Sequence, residues 1–125
     1  MRKVYLAGPI FHASDPSFWR NIAAKSLHKW QTINPLKIEV DVNNPVELVQ
    51  LDLHILQICQ AVLARIDEPS WGTAMEIFHA THEVGIPVIG WRPNSDGPDS
   101  PWLLAHTTVI FRSLSQAISH LESME

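Results

Sequence analysis

Ala61-Val62-Leu63-Ala64-Arg65-Ile66, then Asp67-Glu68-Pro69-Ser70, then residues 72–84, Gly85 and finally Pro87-Val88-Ile89-Gly90-Trp91: the reading of this stretch decides the fold. The first six residues form a short apolar run interrupted only by Arg65, the pattern of a strand buried on both faces. A polar loop follows. Ala74, Ile77, Phe78, Ala80 and Val84 then recur at helical spacing, and Gly85 is the expected terminator. Residues 87–91 make a second apolar run. Strand, helix and strand in that order are the unit from which parallel sheets are built.

The same alternation extends outward in both directions. Val4-Tyr5-Leu6-Ala7, stopped by Gly8-Pro9, is a first strand. Ser14 or Asp15 caps a helix that carries Phe18, Trp19, Ile22, Ala23 and Trp30 on its apolar side and runs to about residue 30. Leu36, Ile38, Val40 and Val42 alternate with Lys37, Glu39 and Asp41, the period of a half-covered strand. Asn44-Pro45 opens the next helix, with Leu48, Val49, Asp52, Ile55, Leu56 and Cys59 mostly on one side. Toward the carboxyl end, the turn-rich segment 93–101 reads as a long loop and residues 108–111 as a fifth strand. Ser113 and Gln116 are spaced as a capping box for a last helix. The expected fold is therefore α/β: a flavodoxin-like or Rossmann-like three-layer sandwich of about five parallel strands with helices on both faces. Ligands should bind past the carboxyl ends of the strands, at residues 8–12, 67–76 and 91–100.

Composition narrows the function. With 125 residues and 46% hydrophobic content, the chain is expected to form a single domain, residues 1–125, with one core and no need of a disulfide or structural metal. Nine Lys and Arg against 13 Asp and Glu give a net charge of −4, which removes the basic field that nucleic-acid polymers require. Cys59 is the only cysteine, and a reducing, cytoplasmic setting fits it. No apolar run is long enough for a membrane span, and the amino terminus reads as a strand and not as a signal peptide.

Phosphate-binding signatures are missing. The loop Gly8-Pro9-Ile10-Phe11-His12 lacks the glycine spacing that wraps a pyrophosphate, and no Walker-type Gly-Lys-Ser/Thr occurs. Glu76-x-x-His79 matches the spacing of di-iron sites, but a second such motif is lacking. His79, His82 and Glu83 could hold a surface metal, a spacing that seven histidines also produce by chance. No metal and no cofactor is expected.

Ser70-Trp71-Gly72-Thr73-Ala74-Met75-Glu76 is the most informative segment. Small residues at a helix start let a ligand approach the backbone, and the helix dipole is expected to keep Glu76 ionised. An ionised carboxylate there has two readings: a nucleophile toward a sugar carbon, or a surface residue favoured by the dipole. Asp52, in mid-stripe, either finds a partner or lines a cavity, since an unpaired buried carboxylate is costly. The Tyr5 hydroxyl either satisfies a buried acceptor such as Glu76 or reaches solvent at the core edge. Phe11 either stacks on a planar base or covers the core edge.

Taken together, residues 5–11, residues 52–66 and Gly72-Thr73-Ala74-Met75-Glu76-Ile77 resemble the nucleoside 2-deoxyribosyltransferase family, in a match running from Tyr5 to about Ser100. The resemblance implies that Glu76 attacks the anomeric carbon of a 2′-deoxynucleoside or its 5′-monophosphate, forming a deoxyribosyl ester that a second base or water resolves. Asp52 then contacts the base and aids its protonation, Tyr5 orients Glu76, and Phe11 packs on the base. Gly8, Ile10, Gly72 and Met75 complete the substrate surface. Many such transferases carry an Asp six residues before the nucleophile, where this chain has Ser70. Related deoxynucleoside 5′-monophosphate N-glycosidases have Ser there and a second Ser after the fourth strand, a place that Ser100 takes. Those hydrolases usually carry an Arg in the first loop, where this chain has Phe11 and His12.

The implied partners are a small nucleoside or nucleotide, a free nucleobase, and further copies of the chain in a homo-oligomer in which Ser100 reaches a neighbour's site. Arg92 then has a structural part. Two other readings stand beside transfer: hydrolysis of a deoxynucleoside 5′-monophosphate, and a non-catalytic nucleotide-binding module of the same fold.

Overall fold

The structure is a computed structural model, and it describes every residue except 12, 40, 42 and 94–96. Five parallel strands form one sheet: β1 (Arg2–Ala7), β2 (Trp30–Ile33), β3 (Ala61–Arg65), β4 (Val88–Trp91) and β5 (Val109–Phe111), in spatial order β2-β1-β3-β4-β5. Helices α1 (Phe18–Ser26), α2 (Pro45–Gln57), α3 (Trp71–His79), α4 (Pro101–His106) and α5 (Leu114–Ser123) make the crossovers and the final return. This is the flavodoxin-like order, and its topological switch point lies between β1 and β3.

Alternation along the strands creates the three layers. Val4, Leu6, Ala61, Leu63, Ile89 and Trp91 point to one face and pack on Trp19, Ala23 and Leu27 and on Ala117, Ile118 and Leu121 from the two helices covering it. Tyr5, Ala7, Val62, Ala64 and Val88 point to the other, against Leu56, Cys59, Ile77 and Ala80. Each central strand is therefore apolar on both sides, as its unbroken hydrophobic run requires. Among the described residues, no helix is long and apolar enough to cross a membrane.

The first difference from the sequence expectation lies between β1 and α2. The second strand is Trp30–Ile33 and not residues 36–42, and the first helix stops at Ser26. Leu27 is already extended, and Trp30, assigned above to the helix, pairs with Arg2 in parallel register. Its buried indole Nε1 donates to Leu121 O at 2.9 Å. Asn34 then accepts from the Leu36 N–H at 3.0 Å and caps a 3-10 turn, Pro35–Lys37, which takes the chain off the sheet. Among the described residues, positions 36–39 and 41 belong to no strand; Val40 and Val42 lie outside the described residues.

The second difference is α4. Ser100 caps it, accepting from the Trp102 N–H at 3.2 Å, with Pro101 in its first position. The helix expected over residues 72–84 is α-helical to His79 and widens to a π turn over Ala80–Val84, where the Gly85 N–H reaches back to Ala80 O at 2.8 Å. Gly85 terminates it at φ 77°.

Candidate active site

At 100° per residue, α3 presents three distinct faces. Thr73 and Ile77 lie buried, while Gly72 and Glu76, four residues apart, share a side. Glu76 is the sixth residue of the helix. On β1, the side chain of Tyr5 leaves the sheet toward the α2 and α3 layer, fully buried, and its hydroxyl donates to Glu76 Oε2. Of the two readings of Tyr5, the buried acceptor holds.

Burial sets the titration of this pair. The Glu76 carboxyl is pushed up to about 7, chiefly by desolvation; the Tyr5 hydrogen bond opposes this, the Asp52 charge adds to it, and the Arg20 charge opposes it. The expectation that the helix dipole keeps Glu76 ionised is corrected accordingly. The dipole fades within the first turn, and Glu76 lies beyond it. The Tyr5 phenol is driven far above its ordinary value by burial and by the adjoining carboxylate, so it remains a donor. Burial also raises Asp52 on α2, whose charge is felt by both partners.

A second group of predicted residues meets at the amino end of α3. Ser70 caps that helix, accepting from the Thr73 N–H at 3.3 Å and from Thr73 Oγ1 at 3.1 Å. Ser70 and Ser100 of the same chain line a cleft of about 610 Å³, together with Trp71, Ala74, Arg92 and Trp102. The residues that line this cleft do not include Tyr5, Asp52 or Glu76. Asp67 and Glu68 also line it, but Arg65 holds both, at 2.8 and 3.4 Å.

The first-strand loop supplies the remaining positions. Gly8 is buried where a Cβ would come within 2.9 Å of Trp19 Cζ2 and 3.2 Å of Arg65 Cβ. Ile10 is half-buried, whereas Phe11 is 68% exposed and does not cover the core edge. Met75 is exposed, and a Cβ at Gly72 would meet open space, which leaves the helix backbone approachable there. His12 lies outside the described residues. Arg92 donates to Asp99 at 2.9 Å, and Asp99 also takes Arg112 with both oxygens, at 3.0 and 2.6 Å, a bridge that fastens the β4–α4 loop to the end of β5.

The histidines part company. His79 pairs with Gln57 at 3.2 Å and His82 with His106 at 3.0 Å, and no cluster of three metal-ligating groups exists among the described residues. Sequence reading missed Arg20. It follows Trp19 in the apolar part of α1, is fully buried, and donates to Leu6, Gly8 and Pro16 carbonyls at 3.2, 2.9 and 2.8 Å. A charged residue inside an apolar helical segment was the available signal, the same one that marked Asp52.

A parallel sheet in 2-1-3-4-5 order, with a tyrosine–glutamate pair at its switch point, defines an α/β protein of flavodoxin-like topology. Solved structures of that architecture include a 2-deoxyribosyltransferase from Leishmania mexicana, at TM-score 0.73 and 19% identity, covering 100% of this chain and 99% of that one. A 2-deoxyribosyltransferase from the psychrotolerant bacterium Bacillus psychrosaccharolyticus aligns at TM-score 0.74 and 18% identity, over 98% and 92% of the two chains. A CMP N-glycosidase from Clostridium botulinum aligns at 0.64 and 17%, over 97% and 99%. The chain has the fold of these enzymes. No protein-family model and no curated protein matches the sequence.

Proposed function

We propose that this protein transfers the 2-deoxyribosyl group of a 2′-deoxynucleoside, or of its 5′-monophosphate, between nucleobases through an ester on Glu76. The observation that carries this reading is the hydrogen bond from the buried Tyr5 hydroxyl to Glu76 Oε2 at the β1/β3 switch point, with Asp52 acting on the same pair. One Glu76 oxygen is thereby oriented. The other attacks C1′ as the bond from C1′ to the base nitrogen breaks. That bond's electron pair goes to the base, which takes a proton from the Asp52 carboxyl, a group that burial keeps protonated more readily than usual. In the second half, a nitrogen of the incoming base attacks C1′, the ester C1′–O bond returns its electron pair to Glu76, and the base's proton returns to Asp52. Residues 1–125 act in this reading as one domain and as one subunit of a homo-oligomer. Trp71 and Trp102, 86% and 75% exposed on α3 and α4, and the exposed Phe78 of α3 give it apolar surface to bury.

A second reading, hydrolysis of a nucleoside 5′-monophosphate, has its own support in the cleft beside Ser70. Two serines and Arg92 face it, and Arg65 neutralises its two carboxylates, so an anionic 5′ group meets little repulsion. Mass spectrometry of the protein after brief exposure to a deoxynucleoside, a deoxynucleotide or CMP tests both. Transfer predicts one added deoxyribosyl group on Glu76 and exchanged nucleoside when a free base is present; hydrolysis predicts free sugar or sugar phosphate instead. No adduct and no cleavage with any of the three would overturn both readings and leave the non-catalytic module. Ser70→Asp retains the cap and adds a charge to the cleft, so it should favour nucleoside over monophosphate.

A further inference from the structure

Arg65 is the one charged residue in the apolar run 61–66, and it closes β3. Ala61 and Leu63 point into the layer of α1 and α5, so the period of two sends Arg65 the same way, beside its register partner Trp91. Its side chain is only 10% exposed. A guanidinium this deeply buried has to place its donors, and each of its nitrogens finds an acceptor. Nε and Nη2 grip Asp67 Oδ1 and Oδ2 at 2.8 and 3.2 Å, Nη2 also reaches Glu68 Oε1 at 3.4 Å, and Nη1 donates to Ser14 O at 3.0 Å.

Those acceptors belong to two different loops. Asp67 and Glu68 lie between β3 and α3, on the segment that leads into Ser70 and Glu76, whereas Ser14 lies between β1 and α1, in the segment that presents Ile10 and Phe11. Among the described residues, no other hydrogen bond joins residues 9–17 to residues 66–70. The backbone after Ser14 carries strain, since Asp15 is left-handed at φ 50°. The carbonyls of the residues on either side of Asp15 are both held by buried guanidinia, Ser14 O by Arg65 and Pro16 O by Arg20 at 2.8 Å. Gly8 lies between the same two side chains, for a Cβ there would approach Arg65 Cβ to 3.2 Å and Arg20 Nη2 to 3.3 Å.

We propose that Arg65 is a positioning residue for the substrate: its guanidinium staples the loop bearing Ile10 and Phe11 to the loop that leads into Ser70 and Glu76, so that the two keep a fixed separation. Lysine does not suffice for this, because one ammonium on a flexible stem lacks the planar fork that grips Asp67 while a third nitrogen reaches Ser14 O. Arg65 faces the layer of α1 and α5, whereas Tyr5 leaves the sheet on the opposite face toward Glu76, so the staple acts on substrate binding and not on the attacking carboxylate. The inference deepens the Glu76 reading above and rests on it for its kinetic consequence, although the order of the loop can be measured in the absence of any turnover.

The test compares wild type with Arg65→Lys, Arg65→Met and Asp67→Asn by backbone NMR relaxation and by steady-state kinetics on 2′-deoxyadenosine and 2′-deoxycytidine, with adenine as the acceptor base. In wild type, Ser14 and Asp15 should show order parameters near the rigid value of about 0.85; in both Arg65 variants they should fall below about 0.6 while β1 and β4 stay unchanged. KM should rise about tenfold, the worth of one hydrogen bond to a charged group, with kcat and the acid limb of its pH profile left in place. Asp67→Asn weakens the fork and leaves the Ser14 bond, so it should give a smaller rise of the same kind. Wild-type order at Ser14 and Asp15 in Arg65→Lys would overturn the proposal, because charge alone would then suffice. So would a loss of order spread through β1 and β4, or an unchanged KM beside a loosened loop. If neither Arg65 variant folds, unchanged order and KM in Asp67→Asn would overturn it equally. A wild type that turns over neither nucleoside, beside a loop loosened in Arg65→Lys, would locate the failure in the Glu76 reading and not in the staple.

Discussion

Replacing Glu76 with glutamine should stabilise the protein at alkaline pH and leave its stability unchanged in acid. The folded state raises this carboxyl from its ordinary 4.5 to about 7. Between those values the folded protein holds a proton that the unfolded chain has released, so stability falls as pH rises, and above the folded midpoint the loss is complete. A raised carboxylate thus contributes stability that is full below about 4.5 and is lost as pH climbs through about 7. Each unit is worth about 1.4 kcal/mol, so the two-and-a-half-unit interval sets a ceiling of about 3 kcal/mol. Glutamine is nearly isosteric, carries no charge, and still offers Tyr5 an acceptor oxygen. Urea denaturation of wild type and Glu76→Gln at pH 4, 6 and 8.5 reads the difference directly: near zero at the first, growing to about 3 kcal/mol at the last, or on the order of 10 °C in Tm for a chain of this length. Catalysis should vanish in the same variant. Stability curves that run parallel from pH 4 to 8.5 would refute the argument, because Glu76 would then be no more desolvated folded than unfolded.

Three further outcomes follow from the same geometry. Tyr5→Phe removes a donor that lowers the Glu76 carboxyl, so the acid limb of kcat/KM should move up and activity at pH 6 fall by roughly 10- to 100-fold; a pH–rate profile checks both. Asp52→Asn removes a like charge, so the same limb should move down even as turnover drops by about 100-fold or more through loss of base protonation. Opposite displacements in these two variants are the signature of the arrangement. Gly8→Ala forces a methyl to within 2.9 Å of Trp19 Cζ2 and 3.2 Å of Arg65 Cβ, both held in a packed layer, and should cost about 1–3 kcal/mol in urea denaturation.

The sequence by itself determined the alternation of strands and helices, four of the five strands, the Gly85 terminator, and the residues Tyr5, Asp52, Ser70 and Glu76 as candidates. Those features are written in neighbouring residues: an apolar run, a period of 3.6, a serine before a helix. The second strand was misplaced because residues 36–42 have the right period, while β2 exists only because Trp30 finds Arg2 beside it and Leu121 above it. Tertiary structure alone decided which candidate residues meet. Tyr5 and Glu76 are 71 positions apart, and their hydrogen bond exists only because β1 and β3 are neighbours in the sheet. Whether Glu76 is ionised depends on how completely distant segments strip water from it and on which charges they place around it. Arg20 is the sharpest case. It looks like one polar residue in an amphipathic helix, and its hydrogen bonds to the Leu6 and Gly8 carbonyls appear only once β1 lies beside it, because hydrogen bonding and desolvation are properties of three-dimensional neighbours.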